Sequence, residues 1–256
     1  MVITSISNEQ IKNIIQLKEK AKVRKQKKQF VVEGIKMFSE VPKENLKAVY
    51  VSEGFLRENE EKLQDVCFQT VSDSVFKKIS DTVTPQGVMA IVTQSEYSLN
   101  DILNCRSKEK SCIVILDRLQ DPGNLGTIVR TGEGAGIAGI VMSSDCADIY
   151  NPKVIRSTMG SIFRVPFTVV DDLPLAIDTI REAGVTTYAA HLQGEDYNKG
   201  VFGNDVALLI GNEARGLSKE VADKADKLIR IPMEGKVESL NAAVATAILM
   251  YEAKWK

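Results

Sequence analysis

From residue 112 to the end of the chain, short apolar runs alternate with longer segments of helical period, and this alternation constrains the fold more than any other feature. Strand-like runs at 113–116, 139–142, 164–165, 187–190, 206–210 and 227–231 are separated by helical stretches near 124–134, 152–160, 174–182 and 218–225. A last helix is expected over 239–254. The runs at 112–116 and 206–210 are apolar at every position rather than at every second one, so both faces of those strands must be covered. That pattern predicts a mainly parallel sheet with helices on both sides, an α/β fold. Neither run approaches the roughly 20 apolar residues needed to span a bilayer, so no membrane association is expected.

The preceding stretch reads as a separate, smaller α/β unit. Residues 7–28 have helical tendency, 30–34 reads as a strand opening into a helix, and Pro42 stops that helix. Strands at 48–51, 67–71 and 88–92 and a helix at 72–79 complete the unit. Between 95 and 111 the chain is polar and ends in the run Arg106, Ser107, Lys108, Glu109, Lys110, the composition of a connector. The expected organisation is therefore a first domain at 1–97, a linker at 98–111 and a second domain at 112–256. No internal repeat is evident.

Several chemistries are disfavoured by counting. His191 is the only histidine, which removes multi-histidine metal sites and leaves any hydrolytic triad a single candidate base. Cys67, Cys105, Cys112 and Cys146 form no C-x-x-C pair, so they are expected to be buried thiols rather than zinc ligands or disulfides. No metal is expected. The amino terminus lacks a charged segment leading into an apolar one, so a cytoplasmic location is expected. The net charge of -1 conceals a strong asymmetry: Lys12, Lys18, Lys20, Lys22, Arg24, Lys25, Lys27 and Lys28 face one acid, Glu19, giving that segment +7 and the remainder -8.

Residues 134–139 match G-x-G-x-x-G, the pattern of a dinucleotide-binding turn. That turn must follow a strand and open a helix, so that pyrophosphate meets the helix amino end. Here helical residues precede it and the strand 139–142 follows, so the glycines read as a helix stop.

Three strand-to-helix segments carry polar residues that local structure does not require. In the first, Asp121, Pro122, Gly123 and Asn124 are good turn chemistry, with Asn124 a candidate cap, but Arg130 sits in an otherwise apolar helix. In the second, Gly211 and Gly216 permit a sharp turn and Ser218 caps, leaving Glu213 unexplained. The third passes through Ile231, Pro232 and Met233 to Ser239, Leu240 and Asn241, where either Ser239 or Asn241 could cap an alanine-rich helix.

In this order the segments resemble the three motifs of the SpoU branch of the SPOUT class, the knotted RNA ribose 2'-O-methyltransferases. N-x-G-x-x-x-R stands at 124–130, G-N-E-x-x-G-L at 211–217, and I-P-M followed by S-L-N-A-A-V-A at 231–245. The first domain resembles the ribosomal-protein-like RNA-binding domain often attached in front, through 30–34 and 86–90. The resemblance implies a deep carboxy-terminal trefoil knot, S-adenosylmethionine as cofactor, RNA (most readily ribosomal RNA) as substrate, and a homodimer. It implies Arg130, Asn124, Glu213, Ser239 and Asn241 as catalytic residues, and Gly211, Ile231, Leu240 and Leu192 around the cofactor. Arg130 is open between proton acceptor and electrostatic stabiliser of a developing alkoxide or nearby phosphate. RNA contacts fall to Arg24, Lys25, Lys27 and Lys28 in the basic segment and to Arg156. The alternative is a noncatalytic RNA-binding ribosome assembly factor that retains the fold, against which Arg130, Glu213 and Asn241 weigh.

Overall fold

The structure, a computed structural model, describes residues 2–64, 66–107, 109–200 and 202–255. The chain divides into two compact units, Met1–Ser95 with Tyr150–Phe163 and Glu96–Ile149 with Arg164–Lys256.

The first unit runs β1 (Val2–Ile3), α1 (Glu9–Glu19), α2 (Ala21–Lys27), β2 (Gln29–Glu33), α3 (Ile35–Ser39), β3 (Leu46–Ser52), α4 (Glu53–Asn59), β4 (Phe68–Val71), α5 (Asp73–Ile79) and β5 (Val88–Thr93). The strands form a mixed sheet in the order β1-β4-β3-β5-β2. Asn8 caps α1 by accepting from the Gln10 N–H at 2.8 Å. Ile11, Ile14 and Leu17 then recur on one helix face and are fully buried with Val31, Tyr50, Phe76 and Met89.

The basic segment is only partly a solvent-facing surface. Lys25, Lys27 and Lys28 are exposed, but Arg24 is 3% exposed and its Nη1 donates to the carbonyls of Leu17 (2.7 Å) and Lys18 (2.9 Å). Arg24 is thereby corrected from an RNA contact to a structural residue that satisfies the last carbonyls of α1, groups a helix end leaves without partners. Replacing Arg24 by Met is expected to cost about 1–3 kcal/mol of unfolding free energy, because buried acceptors lose their donor. Denaturant unfolding checks this; an unchanged midpoint would return Arg24 to the surface set.

The second unit opens with α6 (Leu99–Asn104) and continues through β6 (Ser111–Leu116), α7 (Pro122–Ala135) and β7 (Gly139–Ser143). The chain next contributes α8 (Pro152–Thr158) to the first unit, then returns with β8 (Phe167–Val170), α9 (Leu173–Glu182), β9 (Thr186–Asp196), β10 (Asp205–Ile210), α10 (Lys219–Ala222), β11 (Lys227–Arg230) and α11 (Ala242–Trp255). Six strands in the order β11-β9-β10-β6-β7-β8 pair in parallel throughout. All six positions of β6 are buried, as the unbroken apolar run required.

Four expectations shift. The stretch 98–111 is not a bare connector: Ser98 and Asp101 form a capping box for α6, and Ile102 is fully buried beside Ile113 and Val141. Its polar residues mark one helix face. The strand expected at 164–165 begins instead at Phe167, because Arg164 is drawn into an ion pair with Glu133 and Pro166 has no N–H for a ladder. The last helix begins at Ala242 rather than 239. Of the cysteines, Cys112 is buried, with its thiol pushed up to about 12 by desolvation, and Cys146 is half-buried, but Cys67 and Cys105 are exposed. The G-x-G-x-x-G stretch is a helix stop: α7 ends at Ala135, Gly136 at φ 70° closes it, and β7 follows.

β10 lies between β9 and β6, with Ile210 opposite Leu116. From β6 the sheet extends one way through β7 and β8, and from β10 the other way through β9 and β11. The carboxyl ends of β6 and β10 therefore flank the point where the order reverses, the usual position of a ligand crevice in an open parallel sheet. Among the described residues no helix is long and apolar enough to cross a membrane.

Candidate active site

The loops leaving β6 and β10 are fastened to each other by groups that must find partners. Asp117, 3% exposed at the end of β6, accepts from the Ser218 N–H at 2.7 Å. Asn212 donates from Nδ2 to the Arg118 carbonyl at 2.8 Å, and its Oδ1 accepts from the N–H groups of Ala214 and Arg215. Paired backbone bonds between Asn212 and Gly216 close the second loop on itself. The first loop enters α7 through Asp121, whose Oδ1 accepts from the Asn124 N–H at 2.7 Å, with Pro122 in the first turn. Asp121 is thus the cap, and the Asn124 side chain is left for other work.

That side chain joins all three segments. Asn124 Nδ2 donates to Glu213 Oε1 at 3.0 Å, and Asn124 Oδ1 accepts from Asn241 Nδ2 at 2.9 Å. Glu213 also accepts from the backbone of Asp121 (3.1 Å) and Gln120 (3.3 Å), while Asn241 Oδ1 caps α11 through the N–H groups of Ala243 and Val244. Residues far apart in sequence thus form one chain of bonds from a carboxylate through two amides to a helix amino end. Burial works to raise the Glu213 pKa, but the hydrogen bonds from Asn124 and the backbone outweigh it and hold the carboxyl below the ordinary value of 4.5. A carboxyl whose folded pKa is lowered stabilises the fold above its unfolded pKa and loses that contribution as pH falls through the folded value. Wild type is therefore expected to melt above Glu213→Gln at neutral pH, and the gap to close as pH drops below about 4.5. A gap that widened in acid would contradict this.

Arg130, on α7, is exposed, and its side chain has no hydrogen-bond or ion-pair partner among the described residues. Ser239 is exposed two residues before Asn241 and is likewise unbonded. Gly211, Ile231 and Leu240 are half-buried, and Leu192, near the middle of β9, is 69% exposed. The backbone amides from Met233 to Leu240 make no hydrogen bond to a described residue. A loop of uncommitted amides with half-buried Ile231, Met233 and Leu240 suits a purine nucleoside, whose ring takes apolar packing and whose edge takes backbone donors and acceptors. Arg156 pairs with Asp81 at 3.2 Å within the first unit. Among the described residues no cluster of His, Cys, Asp and Glu could hold a metal ion.

Asp117 and Gln120, which help build the site's frame, carried no signal in the motif pattern, and the framing roles of Asn212 and Asp121 emerge only from their hydrogen bonds. An acidic residue directly after a fully apolar strand was the available signal for Asp117, since a carboxylate there must be met by donors from a neighbouring loop.

Comparison with known proteins agrees with this geometry. Residues 111–251 match the SpoU rRNA Methylase family, and residues 8–90 match the MRM3-like substrate binding domain. The chain is 32% identical to the 23S rRNA (guanosine(2553)-2'-O)-methyltransferase RlmP of Bacillus subtilis, over 98% of each chain. It superimposes with a TM-score of 0.84 on the AdoMet-bound rRNA methyltransferase from Sinorhizobium meliloti, at 33% identity over 99% of this chain and 97% of that one. The SpoU methyltransferase AviRb from Streptomyces viridochromogenes, in complex with AdoMet, gives 0.85 at 27% identity over 96% and 97%. With its three motifs tied into one network on a parallel sheet, and these relatives alike over nearly their full length, the chain belongs to the SpoU rRNA methylase family.

Proposed function

We propose that the protein is an RNA methyltransferase that moves a methyl group from S-adenosylmethionine to a ribose 2'-hydroxyl, in ribosomal RNA. One observation carries this reading: the Glu213–Asn124–Asn241 chain of hydrogen bonds brings the three family motifs together. The cofactor supplies an electrophilic methyl on a sulfonium, which leaves a thioether behind. Gly211, Ile231 and Leu240 would hold it, with Leu192 a further contact. Arg130 meets the hydroxyl oxygen. A guanidinium has five donors and no acceptor, so its part is to stabilise negative charge on that oxygen, while the hydroxyl proton passes to solvent water as the O–C bond forms and the S–C bond breaks. Glu213 is an organiser, because its lone pairs are already engaged by Asn124 and two backbone groups. Its bonds fix Asn124 and Asn241, while Ser239 stands free to meet the ribose. Such fixed positioning supplies rate by holding nucleophile and methyl in line.

The first unit binds the RNA, with Lys25, Lys27 and Lys28 drawing phosphates and Arg156 a further contact. The reading also includes a cytoplasmic homodimer and a carboxy-terminal trefoil knot. The exposed Val244, Tyr251 and Trp255 on α11 support the dimer, since they share one helix face. Neutralising Lys25, Lys27 and Lys28 together is expected to weaken RNA binding and to lower the slope of log affinity against log salt by about 2–3. An unchanged slope would leave these lysines as solvated surface.

Calorimetric titration with S-adenosylmethionine and with S-adenosylhomocysteine tests the cofactor assignment. Saturable binding of both supports it; no binding of either to folded protein, with or without ribosomal RNA, would overturn it in favour of a noncatalytic RNA-binding role.

A further inference from the structure

Beside the Glu213 network, within the second unit, lies a cleft of about 410 Å³ lined by Arg118, Gln120, Asp145, Asn212 and Arg215. Two of its walls are the loops that build the candidate active site, since Gln120 gives its backbone N–H to Glu213 and Asn212 and Arg215 flank Glu213 in sequence; Asp145, after β7, closes the third side. The cleft holds two guanidinium groups that the transfer chemistry does not use.

Arg118 is held in the left-handed region at φ 55°, a conformation side-chain-bearing residues seldom adopt. Its N–H donates to Ser143 Oγ at 2.9 Å and its carbonyl accepts from Asn212, so neighbours on both sides impose the turn. A strained conformation so firmly imposed is typical of ligand sites. Behind the cleft, Asp117 lies 3.2 Å from Arg118 Nε, yet Nε is not aligned for a hydrogen bond and has no bonded acceptor among the described residues. Arg118 Nη2 also donates to Asp117 Oδ2 at 3.5 Å, so the ion pair orients the guanidinium through one terminal nitrogen; the side chain remains about one-third exposed. Arg215 is exposed, and its guanidinium has no partner among the described residues. Gln120 is pinned across the cleft by its Nε2 bond to the Asp145 carbonyl.

The geometry points to this cleft as the seat of an RNA backbone phosphate next to the ribose being methylated, gripped by Arg118 and Arg215. Guanidinium groups suit the task because their donor forks match phosphate oxygens. The Asp145 carboxylate at the rim disfavours a free, more highly charged phosphate and is tolerated by a singly charged diester. The inference rests on the methyltransferase reading and adds to it where the substrate's backbone lies.

The test measures methyl transfer from labelled S-adenosylmethionine to ribosomal RNA of cells lacking the enzyme, in wild type, Arg215→Ala and Arg118→Gly. Glycine accepts φ 55° without strain, so Arg118→Gly removes the guanidinium and leaves the turn in place. Each substitution is expected to raise the KM for RNA roughly tenfold, the loss of one charge-assisted hydrogen bond, and to reduce its salt dependence. The Kd for S-adenosylmethionine should stay within about twofold of wild type. An unchanged RNA KM in both variants, while wild type transfers methyl, would overturn the phosphate assignment and leave the methyltransferase reading standing. A rise in cofactor Kd without change in RNA KM would also overturn it, assigning the cleft to the cofactor. No transfer by wild type would overturn both.

Discussion

Arg130→Ala is expected to lower methyl transfer to RNA by roughly a hundred- to a thousandfold, the usual cost of removing one preorganised donor from a developing oxyanion. The structure sets the terms of this prediction. Arg130 lies on α7, six residues beyond Asn124, and its side chain is exposed without a partner among the described residues. It therefore contributes little to holding the fold together, and a surface helix tolerates Ala well. Cofactor affinity should stay close to wild type, because the loops after β10 and β11, proposed above to hold the cofactor, are not braced by this side chain. Arg130→Lys is the informative companion: it keeps the charge, loses the planar fork, and is expected to recover only part of the rate. Single-turnover transfer and calorimetry together check the pair. Turnover near wild type in Arg130→Ala would remove Arg130 from the mechanism.

Gly211→Ala is expected to have an effect nearly as large by another route. A Cβ at Gly211 would fall on the backbone of Gly216 and Leu217, where the loop after β10 folds back through the Asn212–Gly216 bonds. Backbone cannot rotate aside as a side chain can, so the loop must open. Opening it displaces Glu213, frees Asn124, and breaks the bond from Asn212 to Arg118. Overpacking of this kind costs about 1–3 kcal/mol of stability. The larger loss should be in cofactor binding and transfer, roughly a hundredfold or more, since a loop that must be re-formed taxes every binding event. Calorimetry, with a melting curve to show that the remaining fold persists, measures it. Unchanged affinity would mean that the glycine serves only the turn.

Much of the second unit's architecture was legible because fully apolar runs such as 112–116 and 206–210 can be buried in few ways. The direction of the 134–139 glycines was legible for a similar reason, since a helix stop and a phosphate turn need opposite element order. The segment 98–111 was misread because α6 shows a polar face with one deeply buried residue, Ile102, too sparse a signal for periodicity. Nor did the composition show that the chain gives Tyr150–Phe163 to the first unit, which is a matter of tertiary packing. Arg24 is the clearest case: its neighbours Lys25, Lys27 and Lys28 are exposed, and only the path of α1 into α2 turns this one guanidinium inward onto two carbonyls.

The candidate site was legible as residue types and illegible as bonds. Arg130 and Glu213 stood out because local turn chemistry did not require them, whereas Asn124 and Asn241 read as caps and were marked only by the family resemblance. That Asp121 takes over the capping of α7, so that the Asn124 amide can bridge Glu213 and Asn241, depends on the register of Ile210 beside Leu116. Arg118 and Arg215 drew no notice, since an arginine in a polar loop is unremarkable until a strained backbone and a shared cleft are seen.

Methyl transfer to a ribose oxygen is read out by incubating the protein with methyl-labelled S-adenosylmethionine and ribosomal RNA from cells lacking it, then digesting the RNA to nucleosides. Label is expected in a single 2'-O-methylated nucleoside, with its rate of appearance lowered roughly a hundred- to a thousandfold when Arg130→Ala replaces wild type. Label on a base, or no label from protein that binds the cofactor and the RNA, would contradict transfer to ribose.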